Sequence, residues 1–167
     1  MIKSLSIIIP FFNEQKRIGG NLIKIKQFIK NNYKINYEII FVDDGSTDNS
    51  KKKILDFKKN TKFLRSKIKL LHLKKNTGKG AALKLGVLKA KKEWILTTDI
   101  DLSVSLKHII IWQKKGYIKK NNKDTYFGSR GLKDSVVKTI FYRKILGLFF
   151  TIFYNFFLSI NLKDTQC

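Results

Sequence analysis

Residues 37–50, YEIIFVDDGSTDNS, join a buried-strand pattern to a polar turn of the kind that begins a helix. The first part, 37–44, is short and apolar until its closing pair of aspartates, which is typical of a strand covered on both faces. The second part, GSTDNS, is rich in the residue types that form turns and cap helix N-termini. A lysine-rich helix is predicted to follow and to end near Asn60. The stretch therefore predicts a strand–turn–helix unit of an α/β domain.

The same unit recurs on both sides of this stretch. Strands are predicted at 5–12, 68–74, 93–101 and 124–130, and helices at 17–33 and within 76–90. Alternating strands and helices favour a mostly parallel sheet with helices on both faces, a Rossmann-like doubly wound fold.

Two of the predicted helices have apolar residues at helical spacing. These residues, which we expect to face the sheet, are Ile18, Leu22, Ile25 and Ile29 in the first helix and Ala81, Leu85 and Leu88 in the later one.

A polar cluster follows each predicted strand. The clusters are Asn13-Glu14, Asp43 to Ser46, Asn76 to Gly80, Asp99 with Asp101, and Gly128 to Arg130. In open α/β sheets, ligands bind outside the carboxyl ends of the strands. Because all of the clusters fall at that edge, the sequence predicts one shared ligand site.

The stretch TTDIDLS, residues 97–103, contains a pair of carboxylates at alternate positions. If the strand continued through it, Asp99 and Asp101 would point the same way and repel each other, so we expect a cation nearby. Mg²⁺ or Mn²⁺ fits, because these hard cations prefer oxygen ligands and often bind phosphate as well. Ser103 would add a further oxygen. The alternative is a solvated turn without a metal.

Asp43 and Asp44 are adjacent, so only one of them can face the site, and the other would cap the next helix or contact solvent. Gly78 and Lys79 open a predicted helix whose N-terminus favours phosphate. Arg130 is a candidate phosphate clamp, with a surface ion pair as the alternative. The spacings of a P-loop and of a GxGxxG dinucleotide motif are absent.

The two histidines do not predict a catalytic or zinc site. His72 falls within a strand pattern and is expected to be structural, whereas His108 is expected to pack or to face solvent. The only cysteine is Cys167, which excludes a disulfide framework and fits a reducing compartment.

The formal net charge of +23 favours anionic partners such as phosphorylated ligands, anionic lipid or nucleic acid. A coding bias that enriches Lys, Asn, Ile and Phe together would also produce it. We expect no nucleic-acid partner, because the lysines are scattered without interleaved aromatic residues on a strand face.

The composition changes after Gly131, so we predict two domains, 1–130 and 131–167. The second contains an aromatic and aliphatic stretch with Lys138, Arg143 and Lys144 near its front, typical of an amphipathic helix at a membrane surface. A helix that covers the sheet or a partner is the alternative. No apolar run is long enough to predict a spanning helix, and no signal peptide is evident.

Together the motifs SIIIPFFNE, VDDGSTD, KNTGKGAALKLG, TTDIDLS and GSR resemble the family 2 glycosyltransferases of GT-A fold, in the same order and over essentially the whole chain. The ending LKDTQC is most similar to the dolichyl-phosphate β-glucosyltransferase branch, with the mannosyl synthases close by. In that branch the chain continues beyond this motif, so the sequence is expected to be truncated at its C-terminus.

The resemblance implies a role for each motif. Pro10, Phe12 and Glu14 would hold the nucleotide base, and Val42 and Asp44 would complete the base and ribose pocket. Phe12 stands where the family often has tyrosine.

The remaining implied roles concern the phosphates and the metal. Asp99, Ile100 and Asp101 would contact the diphosphate side. Asp101 and Ser103 would bind Mg²⁺ or Mn²⁺, with Asp99 nearby. Arg130 would meet the phosphates, as would Arg143, and Asp101 and Arg130 are the expected catalytic residues.

The implied activity is metal-dependent, inverting transfer of a hexose from a nucleotide sugar to a polyprenyl phosphate, on the cytoplasmic side of a membrane that the protein binds peripherally. UDP-glucose is the expected donor and GDP-mannose the alternative. A fragment that binds the donor without turnover also remains open, as does a soluble acceptor. A phosphoacceptor receiver domain is disfavoured, because its acidic pair would follow the first strand, where Asn13-Glu14 stands.

Overall fold

Four of the predicted apolar stretches form one parallel sheet in the computed structural model, which describes residues 2–118, 125, 126 and 128. The strands are β1 (Ser4–Phe11), β2 (Asn36–Asp43), β3 (Ile68–His72) and β4 (Trp94–Thr97). The helices are α1 (Ile18–Asn31), α2 (Ser50–Asn60), α3 (Lys79–Lys89) and α4 (Lys107–Lys114), with a 3₁₀ turn at Lys62–Leu64. The predicted GT-A-like α/β architecture is therefore confirmed for this part of the chain.

The strand order β3-β2-β1-β4 determines where a ligand can bind. The chain moves outward from β1 through β2 to β3 and then returns to the other side of β1 for β4, with every neighbouring pair parallel. The connection after β1 therefore leads to one side of the sheet, whereas the connection after β3 returns to the other side of β1. Such a switch point opens the crevice in which doubly wound sheets bind ligands.

The main hydrophobic core lies between the sheet and α1. Residues Leu5 to Phe11 of β1 are all buried, as are Tyr37 to Asp43 of β2, which is the pattern of central strands covered on both faces. The predicted inner face of α1 is confirmed, since Ile18, Leu22 and Ile25 are each at most 4% exposed.

Helix α3 covers the opposite face, where the predicted inner residue Leu85 is partly buried and packs against the smaller core cluster. Leu88 is 71% exposed, so its predicted inward position is wrong. The buried residues of α3 are Ala82 and Gly86, which are one helical turn apart. A Cβ at Gly86 would lie 2.4 Å from Ile8 Cγ2. The small residues therefore let the helix backbone approach β1 and β2 closely, and this close approach determines which side of the helix faces inward.

The buried carboxylate of Glu38 joins β2 to three other segments. It accepts hydrogen bonds from Ser6 Oγ at 2.7 Å, from Lys69 Nζ at 2.6 Å and from the backbone N–H of Lys91. Burial alone would raise the pKa of Glu38, but these hydrogen bonds and the charge of Lys69 outweigh it, so the pKa is lowered. The ionised form is thus part of the folded structure.

The fourth strand is shorter than predicted. It ends at Thr97, and the segment from Asp99 to Leu102 forms a turn in which Leu102 N–H donates to the Asp99 carbonyl at 3.1 Å. The reason is that Ile100 is only 3% exposed and packs in the main core. The chain forms a turn here because Ile100, between the two aspartates, packs into the core. The strand prediction had treated the segment as extended.

The chain divides into two compact units, Met1–Asn121 and Asn122–Cys167. Of the predicted fifth strand at 124–130, only Thr125, Tyr126 and Gly128 are described, and none of these three lies in a strand. Arg130, Arg143 and the predicted amphipathic helix lie outside the described residues, and the boundary at 130 stays a prediction. Within the described part, no helix is long and apolar enough to cross a membrane.

Candidate functional site

The turn after β4 places the two aspartates beside a lysine from another element. Lys79, the first residue of α3, lies with its Nζ 2.6 Å from Asp99 Oδ1. Both side chains are more than half exposed, at 61% and 55%. Lys79 thus supplies a positive charge beside the carboxylate pair, and the metal predicted at Asp99, Asp101 and Ser103 stays a prediction. The argument from strand alternation was wrong, because Asp99 and Asp101 lie beyond the end of the strand.

The second aspartate of the turn is held in its ionised form. Asp101 Oδ1 accepts a hydrogen bond from the backbone N–H of Ser103 at 3.0 Å. This bond is the largest influence on the pKa of the Asp101 carboxyl, which is lowered. The charges of Arg17 and Lys79 lower that pKa further, so both cations lie within electrostatic reach of the turn.

Asp44 ties the loop before α3 to the end of β2. Its Oδ1 accepts the backbone N–H of Thr77 at 2.8 Å, and its Oδ2 accepts that of Gly78 at 2.9 Å. The predicted phosphate donor at Gly78 N–H therefore already has a protein acceptor. Gly78 instead matters for its conformation, φ 98° and ψ 154°, a region that is essentially restricted to glycine.

Asp43 has the structural role that the sequence left open for one of the pair. It is fully buried, and its Oδ1 accepts the backbone N–H of Ser46 at 2.8 Å. Its Oδ2 lies 3.0 Å from His72 Nδ1 at the end of β3. This arrangement confirms the structural prediction for His72. It also distinguishes the two aspartates, because Asp43 shapes the turn and Asp44 holds the neighbouring loop.

The loop after β1 is locked to the loop after β2 by side chains that accept backbone N–H groups. Asn13 N–H donates to Ser46 Oγ at 3.0 Å, and Asn13 Oδ1 accepts the N–H of Thr47 at 2.9 Å. Asn13 has φ 52°, a left-handed conformation that asparagine tolerates better than most residues. Glu14 N–H donates to Ser50 Oγ at 2.8 Å. The position of Glu14 is therefore fixed by its backbone.

The side chain of Glu14 meets Arg17, a residue that the sequence analysis did not select. Arg17 Nη2 donates to Glu14 Oε1 at 3.0 Å, and Arg17 Nε lies 2.8 Å from Glu14 Oε2. The second contact is close enough for an ion pair but is not aligned as a hydrogen bond. Glu14 Oε2 is thus buried without a hydrogen-bond donor among the described residues. The i,i+3 spacing of opposite charges at a helix start was the available sequence signal.

Other predicted site residues differ in what they expose. The side chains of Pro10, Val42 and Ile100 are buried, and Val42 packs with Ile8 and Ala82 beneath α3. Phe12 is 41% exposed just beyond β1. Pro10 and Val42 are paired across β1 and β2, so they form the floor beneath the polar edge rather than part of its exposed surface.

The carboxylates at this edge fit a hard divalent cation that keeps several water or phosphate ligands. Asp99 and Asp101 supply oxygen atoms from one short turn, with Ser103 adjacent. No group of three or more His, Cys, Asp or Glu residues able to hold a metal occurs within residues 2–118, 125, 126 and 128. A cage built from protein ligands alone is therefore not formed by these residues, whereas a shared protein–phosphate site is compatible with them.

A cavity of about 340 Å³ opens beside the loop after β1. Its lining residues are Asn13, Glu14, Gln15, Lys16, Arg17 and Asp48. These residues follow β1 and β2, so the cavity lies at the carboxyl edge of the sheet, although Asp44, Lys79 and the aspartate turn are not part of its lining.

The chain matches the model of glycosyl transferase family 2 over residues 6–166. It is 37% identical to a dolichyl-phosphate beta-glucosyltransferase of Dictyostelium discoideum, over 98% of this chain and 52% of that protein. It is 29% identical to the human protein of the same name, over 99% of this chain and 53% of the relative. The chain thus spans about half the length of these curated relatives.

Solved structures share the fold. A mannosyltransferase from Pyrobaculum calidifontis, in complex with GDP-Man and Mn²⁺, aligns with a TM-score of 0.52 and 26% identity over 58% of this chain and 27% of the other. S. aureus TarS aligns with a TM-score of 0.51 and 23% identity over 78% of this chain and 40% of the other, which supports the fold alone. The family match covers nearly the whole chain, and the chain belongs to glycosyl transferase family 2.

Proposed function

We propose that this chain forms the donor-binding side of a metal-dependent, inverting glycosyltransferase that moves glucose from UDP-glucose onto a polyprenyl, dolichyl-type phosphate. The observation that supports it is the meeting of the Asp99–Asp101 turn, Lys79 and the Glu14 loop at the switch point between β1 and β4. The relatives named as dolichyl-phosphate beta-glucosyltransferases support the choice of sugar and acceptor.

In this proposal the loop after β1 receives the nucleoside. Phe12 offers an exposed aromatic face on which a base can stack. Glu14 Oε2 is a buried acceptor without a donor among the described residues, and such an oxygen favours an incoming N–H or O–H group. Asp44 holds the loop before α3 through its bonds to Thr77 and Gly78, and we assign it, with the buried Pro10 and Val42 beneath this edge, to the base and ribose side of the donor.

The diphosphate would lie over the turn after β4. Asp99, Asp101 and Ser103 would hold Mg²⁺ or Mn²⁺ there, and the core packing of Ile100 fixes that turn. When bound, the cation neutralises the charge that develops on the departing nucleoside diphosphate. Lys79 adds a positive charge at the same place, and we assign Arg130 to the phosphates as well, which makes Asp101 and Arg130 the catalytic pair of the proposal.

The acceptor requires little activation from the protein. A phosphate is already an anionic nucleophile, so no strong general base is needed, and neither histidine is positioned as one. His72 is committed to Asp43, and His108 Nδ1 lies 2.9 Å from the Ser105 carbonyl. We assign attachment to the cytoplasmic face of a membrane to the basic and aromatic segment after residue 131.

The test is calorimetric titration of the purified chain with UDP-glucose and GDP-mannose, each with Mn²⁺ and with a chelator. We expect UDP-glucose to bind only with the metal, and Asp101→Ala to abolish this binding. Asp56→Ala is the matched control, because it removes an exposed carboxylate from α2, away from the site. Absence of binding to a folded wild-type chain would refute the proposal.

A GDP-mannose donor is the second candidate, favoured by the solved mannosyltransferase complex with GDP-Man. The same titration decides between them, since each donor is tested against the same protein. A chain that binds the donor without completing the transfer is the remaining alternative, and sustained turnover with a polyprenyl phosphate would contradict it.

A further inference from the structure

Arg17 is the one arginine among the described residues that combines a position at the polar edge with an anchored guanidinium. It immediately precedes α1 and lines the cavity beside the loop after β1. Its side chain remains 65% exposed, although it is paired with Glu14, whose own side chain is only 16% exposed. The guanidinium is therefore oriented by a nearly buried carboxylate and still open to solvent.

The geometry of the pair leaves one edge of the guanidinium free. Nε and Nη2 face Glu14, at 2.8 Å from Oε2 and 3.0 Å from Oε1. Arginine has five N–H donors in a planar fork, so both N–H groups of Nη1 and the second N–H of Nη2 have no acceptor in this pair. Two parallel N–H groups on one edge match the spacing of phosphate oxygens.

Arg17 belongs to the loop after β1, which lies at the same carboxyl edge of the sheet as the turn after β4 that we assign to the metal and the diphosphate. Glu14 neutralises part of the Arg17 charge but orients the side chain. An oriented arginine loses less freedom on binding an anion than a free lysine would. Neighbouring Lys16 lines the same cavity but forms no ion pair with any described residue, so it lacks this orientation.

We propose that Arg17 binds a phosphate group of the nucleotide donor through the guanidinium edge that Glu14 leaves free. The inference rests on the proposed function and adds a residue to its donor site. Glu14 then links the two parts of the donor: its carboxylate faces the nucleoside, and through Arg17 it orients the phosphate contact.

The test compares the binding of UDP with that of uridine, both with Mn²⁺, in wild type, Arg17→Gln and Arg17→Lys. Charge-assisted hydrogen bonds are the strong class, so Arg17→Gln should weaken UDP binding roughly tenfold or more. Uridine has no phosphate, so its affinity should change by less than about twofold if only the phosphate contact is lost. Arg17→Lys should fall between wild type and Arg17→Gln, because lysine keeps the charge but not the fork.

Lys26→Gln is the matched control, since it removes one exposed positive charge from α1 itself. It should leave both affinities unchanged, which separates a local contact from the general field of the basic protein. Thermal unfolding of each variant establishes that it is folded. If Arg17→Gln does not fold, the comparison with wild type is made with Arg17→Lys.

The outcomes are distinct. Unchanged UDP affinity in Arg17→Gln, with wild type binding normally, overturns this inference and leaves the proposed function standing. Equal weakening of UDP and uridine also overturns it, because Arg17 would then act only by positioning Glu14. Failure of folded wild type to bind UDP with Mn²⁺ overturns both proposals.

Discussion

Replacing Gly45 by alanine should separate the two loops that form one wall of the site. Gly45 has φ 76°, and a Cβ there would lie 2.5 Å from the Lys75 carbonyl carbon and 2.6 Å from Asn76 N. These are backbone atoms, which cannot rotate away as a side chain can. The substitution therefore forces the loop after β3 away from the end of β2, where Asp44 holds Thr77 and Gly78.

Two energetic costs determine how much stability Gly45→Ala loses. A left-handed conformation costs a non-glycine residue about 1–2 kcal/mol, and overpacking against a fixed neighbour costs about 1–3 kcal/mol. The free energy of unfolding should thus fall by about 2–5 kcal/mol, a large share of the ~5–15 kcal/mol of an ordinary domain. Any weakening of the Asp44 hydrogen bonds adds to this loss.

Urea unfolding followed by tryptophan fluorescence measures the change, and amide hydrogen exchange at Thr77 and Gly78 locates it. Both amides should exchange faster in Gly45→Ala than in wild type. Gly20→Ala is the control, because no atom lies within 4 Å of its added Cβ and the site is within α1. That change should stabilise the protein by about 0.5–1 kcal/mol. A Gly45→Ala protein within about 0.5 kcal/mol of wild type would refute the argument.

Further predictions concern the turn, its lysine and the buried glutamate. Ile100→Ala should cost about 2–4 kcal/mol of stability in urea unfolding, whereas Ile95→Ala, at a position 44% exposed, should cost less than about 1 kcal/mol. Equal losses would contradict the argument that Ile100 holds the turn by packing in the core. Lys79→Met frees Asp99, so Mn²⁺ affinity without nucleotide, measured by electron paramagnetic resonance, should rise, but by no more than about fivefold because the pair is exposed; a decrease would contradict the competition. The lowered pKa of Glu38 predicts stability that is present above its ordinary value of 4.5 and is lost as the pH falls through the folded-state pKa; Glu38→Gln should reduce this acid dependence, and an unchanged pH profile would contradict it.

The sequence predicted the sheet well because period and composition are local properties. The apolar runs of β1, β2 and β3 agree with the structure to within two residues at each end, as does α1. The inner face of α3 was only partly predicted, because apolar content suggested Leu88, whereas the decisive factor was how closely a helix can approach Ile8. That distance depends on the packed partner and cannot be read from the helix alone.

The candidate site was likewise predicted in part. Motifs identified Asp44, Asp99 and Asp101, since carboxylates at strand ends are visible in a pattern. The sequence did not show which carboxylate oxygens already accept hydrogen bonds, because the donors to Asp44 come from 33 and 34 residues further along the chain. The turn at Ile100 was mistaken for strand, because an alternating pattern does not show which side the core lies on.

The charges at this edge explain why ligand binding should be an exchange of partners rather than a simple addition. Lys79 is paired with Asp99, and Arg17 with Glu14, so each of these cations already has a carboxylate. A cation bound by Asp99 and Asp101 would release Lys79 toward a phosphate, whereas Arg17 can bind phosphate while still paired. Metal and diphosphate should therefore strengthen each other's binding by freeing one ion pair, and the second pair should remain as the fixed part of the site.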